Sequence, residues 1–256
     1  MSDTSVDTTE RTLSIIERLR ASEHVTVPEL ATSTGCSEMT IRRDLDHLAE
    51  QGALRRVRGG AVSLLLRGES TPFALRVHEA TTAKRRIAAE VAELVADGES
   101  VILDSGTTNL EVARALTGRR ITAIPLDLHG ANALATAGAN LLLPGGRTRP
   151  GDLSFVGHLT ENSLRELRVD TVVLGCCGLS AEHGLTAHEL TEVPVKQAAI
   201  ASARRAIAAC DGSKFTRTGL GHVCPITGLD LVVTDDGIPP DTRATMEGAG
   251  VVVRVV

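Results

Sequence analysis

Ser37-Glu38-Met39-Thr40-Ile41-Arg42-Arg43-Asp44-Leu45 is the stretch that decides the N-terminal fold. Read as a helix, it sets Ile41, Leu45 and then Leu48 on one face at spacings of four and three, with Ser37 where an N-cap belongs. Glu38, Thr40, Arg42 and Arg43 remain on or beside the outward face near the N-terminus. That is where a recognition helix meets base edges and phosphates. Arginine pairs in a bidentate way with guanine or neutralises a phosphate, and the Ser37 and Thr40 hydroxyls suit phosphate oxygens.

Working outward, an earlier helix carries Leu13, Ile16 and Leu19 and breaks at Ala21–His24. A second opens at Thr26-Val27-Pro28-Glu29, with Thr26 or Val27 at the cap and Pro28 in the first turn, where its missing N–H is harmless. It ends near Thr34-Gly35, and Gly52 closes the third helix. Three short helices with a tight glycine-containing turn make a helix-turn-helix. The following Ala53–Val62 reads as two short strands about Gly59-Gly60, a wing that bears Arg55, Arg56 and Arg58. The opposing acids are Asp44, Asp46 and Glu50. A solvated face whose arginines merely pair with these acids is the bland alternative. The joint occurrence of helix, turn, helix and basic wing favours double-stranded DNA as the partner.

Composition bounds the rest. The 256 residues allow a small domain plus a medium one, and a hydrophobic fraction of 42% is enough for a core. The formal net charge of -5 excludes a basic coat but not a local patch. With no Tyr or Trp and only Phe73, Phe155 and Phe215, stacking on single-stranded bases is not the main binding mode. Five cysteines without a C-x-x-C spacing speak against a disulfide framework or a zinc-thiolate site, and for a reducing compartment. Residues 1–10 read as a polar, disordered lead with no secretory pattern, and no apolar run suffices to span a bilayer. The expectation is a cytoplasmic protein with no membrane partner.

Domain boundaries are expected at 11–62 for the winged helix-turn-helix, 63–82 for a linker and 83–256 for a larger α/β domain. In the last, strand-like runs at Ser100–Leu103, Ile121–Ile124, Asn140–Leu143, Thr171–Gly175, Ile207–Cys210, Leu231–Thr234 and Val251–Val255 are mostly separated by helical stretches. Those stretches are Ala83–Ala96, Leu110–Leu116, Leu153–Leu167 and His188–Arg205. Near-continuous apolar strands alternating with helices indicate a largely parallel sheet covered on both faces.

One strand end stands out. Val101–Asn109 runs from a strand through a small-residue turn into a helix start, which aims free N–H groups at an anion. Ser105, Thr107 and Thr108 add hydroxyls, and Gly106 allows close approach. Gly145, Gly146 and Arg147, then Asp211 with Lys214, then Lys196 and Lys84, are candidates to converge beyond the strand ends. Two or three cations beside a helix N-terminus suit a phosphate ester. An ordinary N-cap and surface lysines are the competing reading.

The residues Glu29-Leu30-Ala31, Ser37, Thr40–Leu45, Leu48, Gly52 and Gly59-Gly60-Ala61 closely resemble the DNA-binding domain of the DeoR family of bacterial regulators. Arg58 stands where many members have His. The resemblance continues through Lys84 with Ile87-Ala88, Asp104–Thr108, Gly145-Gly146, Asp170, Gly184-Leu185-Thr186, Glu192 with Val195-Lys196, Asp211–Phe215 and Thr234-Asp235. It implies a sensing domain like the ribose-5-phosphate isomerase fold, binding sugar phosphates or related intermediates. It further implies effector contact at Asp104–Thr108, Gly146, Lys196 and Lys214, and a repressor of carbohydrate-metabolism genes that leaves its operator when the ligand binds. A dimer or tetramer is expected, with no cofactor and no metal. Pro125-Leu126 replaces the Thr-Asn pair usual after the second strand, which marks a changed ligand preference or a non-binding corner; Pro194 beside Glu192 is a second departure. Two rival functions compete with this reading: acid–base catalysis by Asp104, Glu192 and Lys196, for which an enzyme needs no N-terminal module, and metal sensing through residues such as His183 and His188, which lack matching thiolates or carboxylates.

Overall fold

The computed structural model describes residues 8–22, 24–50, 53–63, 72–136 and 139–256. They divide into two compact units, Met1–Glu79 and Ala80–Val256. Residues 1–7 of the expected lead, Gly52 and residues 64–71 of the expected linker lie outside this description.

The N-terminal unit comprises α1 (Thr8–Ala21), β1 (His24–Thr26), α2 (Val27–Thr34), α3 (Glu38–Glu50), β2 (Leu54–Val57), β3 (Gly60–Ser63) and the single turn α4 (Phe73–Arg76). Thr8–Glu10 are thus helical rather than part of the lead. Ile15, Ile16, Leu19, Leu30, Ile41, Leu45, Leu48 and Leu54 are all but fully buried and form one core. Thr26 caps α2 through a capping box: its side chain accepts from the Glu29 N–H, and Glu29 accepts from the Thr26 N–H at 3.0 Å. Gly35, left-handed at φ 68, ends α2 and starts the turn into α3. The three strands pair antiparallel in the order β1-β3-β2, so the wing is anchored by a strand that the sequence showed only as a break. Within the span expected as a linker, Ser63 belongs to β3 and Leu75 is buried in this core, because Phe73 and Leu75 are apolar enough to fold back.

The C-terminal unit runs α5 (Thr81–Leu94), β4 (Ser100–Leu103), α6 (Thr107–Ala115), β5 (Thr122–Pro125), α7 (Leu128–Ala135), β6 (Asn140–Leu141), β7 (Arg147–Thr148), β8 (Phe155–Val156), α8 (His158–Arg165), β9 (Val169–Leu174), β10 (Gly178–Ser180), β11 (Gly184–Ala187), α9 (Val193–Ser202), β12 (Ala203–Ala209), β13 (Gly221–Cys224), β14 (Leu231–Thr234), α10 (Pro240–Gly248) and β15 (Val252–Val255). The seven apolar runs become one seven-stranded sheet in the order β15-β14-β12-β9-β4-β5-β6, parallel at every pairing.

Period-two alternation divides its side chains. Val101, Leu103, Ala123, Val173, Ile207 and Val233 face Ile87 and Val91 of α5, Val112 of α6 with Leu116 just after it, and Leu134 of α7. Ile102, Ile124, Val172, Leu174, Ala208 and Val232 face Leu164 of α8, Val195 and Ala199 of α9, Met246 of α10 and the small antiparallel sheet β10-β11-β13. The expected helix 153–167 is shorter because Phe155-Val156 pairs as β8 with β7 and Gly157 (φ 95) precedes α8. The expected helix 188–205 begins at Val193, with Pro194 in its first turn, and gives way at Ala203 to β12.

Gly60 shows how tightly the wing is seated. A Cβ built there would lie 2.1 Å from the Val25 carbonyl oxygen, a backbone atom with no room to yield. Gly60→Ala is therefore expected to cost roughly 1–3 kcal/mol or more of N-terminal-unit stability. Urea unfolding of the full chain measures this; a wild-type transition would mean that the hairpin is not held against β1.

Candidate functional site

Two sets of residues carry polar chemistry that packing does not consume. The first is α3 with the wing. Ser37 lies just before α3: its Oγ accepts from the Thr40 N–H at 3.2 Å and shares a hydrogen bond with Thr40 Oγ1 at 2.9 Å. Arg42 pairs with Glu38 one turn earlier at 2.6 Å, half exposed. Arg56 reaches Asp46 at 2.8 Å and donates to the Gly60 carbonyl at 2.7 Å, bracing the wing against α3. Asp44 is taken up by Arg11 of α1 at 2.5 Å, with both side chains near 10% exposure. The acids that might have neutralised the patch are thus partly spent on structure. Arg43, Arg55 and Arg58 are exposed and make no ion pair with any described residue. Gly59 (φ 80) sits exposed at the hairpin turn, and its carbonyl accepts from the Val27 N–H at 2.9 Å, while Gly60 is buried against β1.

The second set lies beyond the carboxyl ends of the parallel strands. The chain proceeds outward from β4 to β5 and β6 on one side and from β9 to β12, β14 and β15 on the other, so the strand order reverses between β4 and β9. Such a reversal opens a crevice. Asp104 follows β4 and Gly175 follows β9; the Gly175 N–H donates to Asp104 Oδ2 at 2.9 Å. Lys196 comes in from α9, ion-pairs with Asp104 and donates to the Gly175 carbonyl at 3.3 Å. Burial works against the Lys196 charge, but Asp104 and Glu192 outweigh it and hold the ammonium above its ordinary value.

Gly106 (φ 121) leads into α6 with no side-chain cap, so the amides of Thr107 and Thr108 face outward from the helix start. Ser105, Thr107 and Thr108 are all buried beside them. One strand pair further along, Asp211 accepts from the Ser213 N–H at 3.1 Å. Burial pushes the Asp211 carboxyl up, but Lys214, Ser213 and Lys84 together pull it below its usual value. Lys84, Asp211 and Lys214 therefore stand together.

Gly145, Gly146 and Arg147 do not visibly join this group. The Gly145 carbonyl accepts from Thr160 Oγ1 at 2.7 Å, and a Cβ on Gly146 would lie 2.1 Å from that hydroxyl. Arg147 is exposed in β7 and makes no ion pair with a described residue. Their glycines are accounted for by packing on α8.

Sequence reasoning missed the acidic side of the crevice. Asp127, after β5, accepts from the Gly106 N–H at 3.2 Å and the Gly130 N–H at 2.6 Å, capping α7 and pinning the β4 loop. Ser154 Oγ lies 3.1 Å from Asp152 and 3.0 Å from Glu192 and shares its one proton between them, and Arg149 pairs with Asp152, Glu189 and Glu192. The signal for Asp127 was its position after a strand; Arg149, Asp152 and Ser154 sit in a loop without periodicity. Pro125 and Leu126 are buried, Leu126 in the main core, so that corner presents apolar packing rather than polar side chains.

Burial raises the Cys177 and Cys224 thiols, the latter to about 11, and contact with Cys176 raises Cys210. These are poor nucleophiles. Among the described residues no group of three or more His, Cys, Asp or Glu is placed to hold a metal ion, and no helix is long and apolar enough to cross a membrane.

Burial, with Asp104 and Asp152 adding to it, pushes the Asp127 carboxyl up to about 6 against the pull of its two amide donors. The folded state thus keeps a proton that the unfolded chain loses near pH 4. This group's contribution to stability is level below about pH 4, falls as pH rises to about 6, and stays low above it, by at most roughly 3 kcal/mol. Asp127→Asn should remove that slope. The check is the difference between wild-type and variant unfolding free energies across pH 4–7; a difference that stays constant sinks the assignment.

The comparisons agree on both units. The DeoR-like helix-turn-helix domain matches residues 11–65, and the DeoR C terminal sensor domain matches residues 79–236. The chain is 36% identical to a candidate aga operon transcriptional repressor of Escherichia coli O157:H7 over 97% of this chain and 94% of that one. It is 34% identical to the transcriptional repressor AccR of Agrobacterium fabrum, covering 94% and 93%, and 34% identical to the glycerol-3-phosphate regulon repressor of Escherichia coli K12, covering 89% and 90%. Among solved structures, a ribose 5-phosphate isomerase from Methanocaldococcus jannaschii is similar over 52% of this chain and 54% of that one, at 18% identity and a TM-score of 0.40, too slight a likeness to bear on activity. With a DNA-binding helix-turn-helix joined to a sensor domain along almost its whole length, this chain belongs to the DeoR family of transcriptional regulators.

Proposed function

We propose that this protein is a cytoplasmic repressor of carbohydrate-metabolism genes, and that a phosphorylated sugar or a related metabolite releases it from double-stranded operator DNA. The observation that carries the DNA half is the set of exposed arginines Arg43, Arg55 and Arg58, without an ion pair among the described residues, around a recognition helix in a chain of net charge -5. Arg42, held by Glu38 on the same face, is the base-reading candidate: bidentate contact with guanine would replace an exposed pair worth well under 1 kcal/mol. Ser37 and Thr40 serve the backbone.

The effector half rests on the uncapped start of α6 together with Lys84 and Lys214 near Asp211. An anion there meets free amides and the positive end of a helix. The relatives named for an aga operon and a glycerol-3-phosphate regulon support this ligand class. All of the relatives compared above are named as regulators rather than enzymes, and Lys196 and Asp104, the would-be acid–base pair, are engaged with each other.

The mechanism is differential binding. A homo-oligomer, dimer or tetramer, sets two α3 helices on half-sites about one helical turn apart or a multiple of it. The effector binds more tightly to an arrangement that no longer fits that spacing, so operator affinity falls by the ratio of its affinities for the two states.

The test is a titration of the full chain on DNA from upstream of its own gene, at fixed salt against scrambled competitor, repeated with a panel of sugar phosphates. Arg42→Ala is expected to cost roughly 1–3 kcal/mol on the operator and little on scrambled DNA; equal loss on both would make it a phosphate contact. Arg43→Ala should weaken both alike and lower the salt slope by about one. Lys214→Ala should bind operator as the wild type does but need more effector for release, and a normal response would take Lys214 out of the pocket.

A further inference from the structure

Met39 is 58% exposed at the start of α3, whereas Leu30, Ile41, Leu45, Leu48 and Leu54 of the same unit are at 1% or less. Its direction follows from the helix. Successive residues turn by about 100°, so Met39 and Arg43 project about 160° and 200° round from Ile41. That is the side opposite the buried stripe of Ile41, Leu45 and Leu48, and both residues are exposed there. Single apolar residues scattered over a surface are ordinary. This one is the second residue of the helix, set among polar side chains that already hold each other. Glu38 and Arg42 pair at 2.6 Å, and the Ser37 and Thr40 hydroxyls share a hydrogen bond at 2.9 Å. The thioether stays open to solvent between them.

The first turn of a recognition helix is the part that meets base edges in the major groove. The groups displayed on those edges are hydrogen-bond donors and acceptors, with one apolar exception, the C5-methyl of thymine. An unbranched, polarisable thioether moulds itself to such a methyl and offers nothing to a phosphate. We propose that Met39 packs on a thymine methyl in each operator half-site and so specifies thymine at that step, beside the base contact assigned to Arg42. The inference rests on α3 being the groove-reading helix, as proposed above, and assigns one base of its site. Covering one methyl corresponds to about fourfold in affinity.

Uracil in place of thymine removes the methyl and leaves every hydrogen-bonding group of the base pair as it was. Preferred duplexes are first selected with the full chain from a random-sequence library, and each thymine of the recovered site is then replaced by uracil in turn. At one thymine per half-site, uracil is expected to weaken wild-type binding about fourfold. Met39→Ala should bind the thymine site about fourfold or more weakly than the wild type does, and bind the uracil site no worse than the thymine site. Scrambled DNA should be bound alike by both proteins. Met39→Leu keeps an apolar side chain and should keep the uracil penalty, whereas Met39→Gln, similar in length but polar, should lose it. The position is exposed and Ala, Leu and Gln are good helix formers, so all three variants should unfold at the wild-type temperature. A uracil penalty that persists in Met39→Ala overturns the inference, as does a site in which no thymine responds to uracil. An equal loss by Met39→Ala on scrambled DNA overturns it too, by making the residue a backbone contact. Unfolding at a lower temperature in both Met39→Ala and Met39→Gln would return the side chain to a structural role. A library that yields no preferred sequence sinks α3 as a reading helix altogether.

Discussion

Lys196 and Asp104 are withdrawn from water together at the end of β4, and the shape of the crevice depends on that pairing. Removing an ammonium and a carboxylate from solvent costs several kcal/mol per ion, recovered only if the two meet at close range and their remaining hydrogen-bonding capacity is satisfied. Here Gly175 supplies that remainder, its N–H to the carboxylate and its carbonyl to the lysine. Three elements distant in sequence, the β4 end, the β9 end and α9, are fixed relative to one another by four atoms. A parallel sheet makes this possible, because every strand end points to the same edge and each crossover helix returns beside it. Losing one partner would leave the other buried and unpaired, so neither residue can be altered merely as a ligand contact.

The same pairing explains where sequence reading succeeded and where it stopped. All seven apolar runs entered the sheet; the five inner strands were legible because strands buried on both faces exclude polar residues, whereas the edge strands β6 and β15 are partly exposed. α7 and α10 were missed: the first is a short run rich in small residues behind the Asp127 cap, and the second exposes most of its surface and buries only Met246. β10, β11 and β13 are three or four residues each and contain Gly178, Gly184 and Gly221, where a Cβ would strike neighbouring backbone or the Val193 side chain. Those glycines answer to tertiary contacts, which no local pattern reveals.

The sites follow the same rule. Lys196 and Asp104 could be named from sequence, but not that each is the other's partner across 92 residues. Thr107 and Thr108 could be named from the turn preceding a helix. Asp127, Arg149 and Asp152 could not, since they sit in loops that carry no period and their links to Gly106 and Glu192 are long-range. In the N-terminal unit the arginines were visible, yet their division into structural and free was not. Arg11 and Arg56 neutralise Asp44 and Asp46, which leaves Arg43, Arg55 and Arg58 outward.

Electrostatics also constrains how a phosphorylated ligand would lie. Asp104, Asp127, Asp152 and Glu192 are buried along one side of the crevice, where Lys196 and Arg149 pair with three of them, and burial raises the carboxyls of Asp127 and Glu192. A phosphate placed among them would add charge where charge is already disfavoured. At the start of α6 it meets amides instead, and Lys84 of α5 and Lys214 both act on Asp211, which follows β12. On the proposed reading the ligand is therefore polarised, its anion toward the helix start and the lysines and its hydroxyls toward the carboxylates. Carboxylates are good acceptors for hydroxyl donors, so a surface hostile to phosphate is suited to the other end of the same molecule.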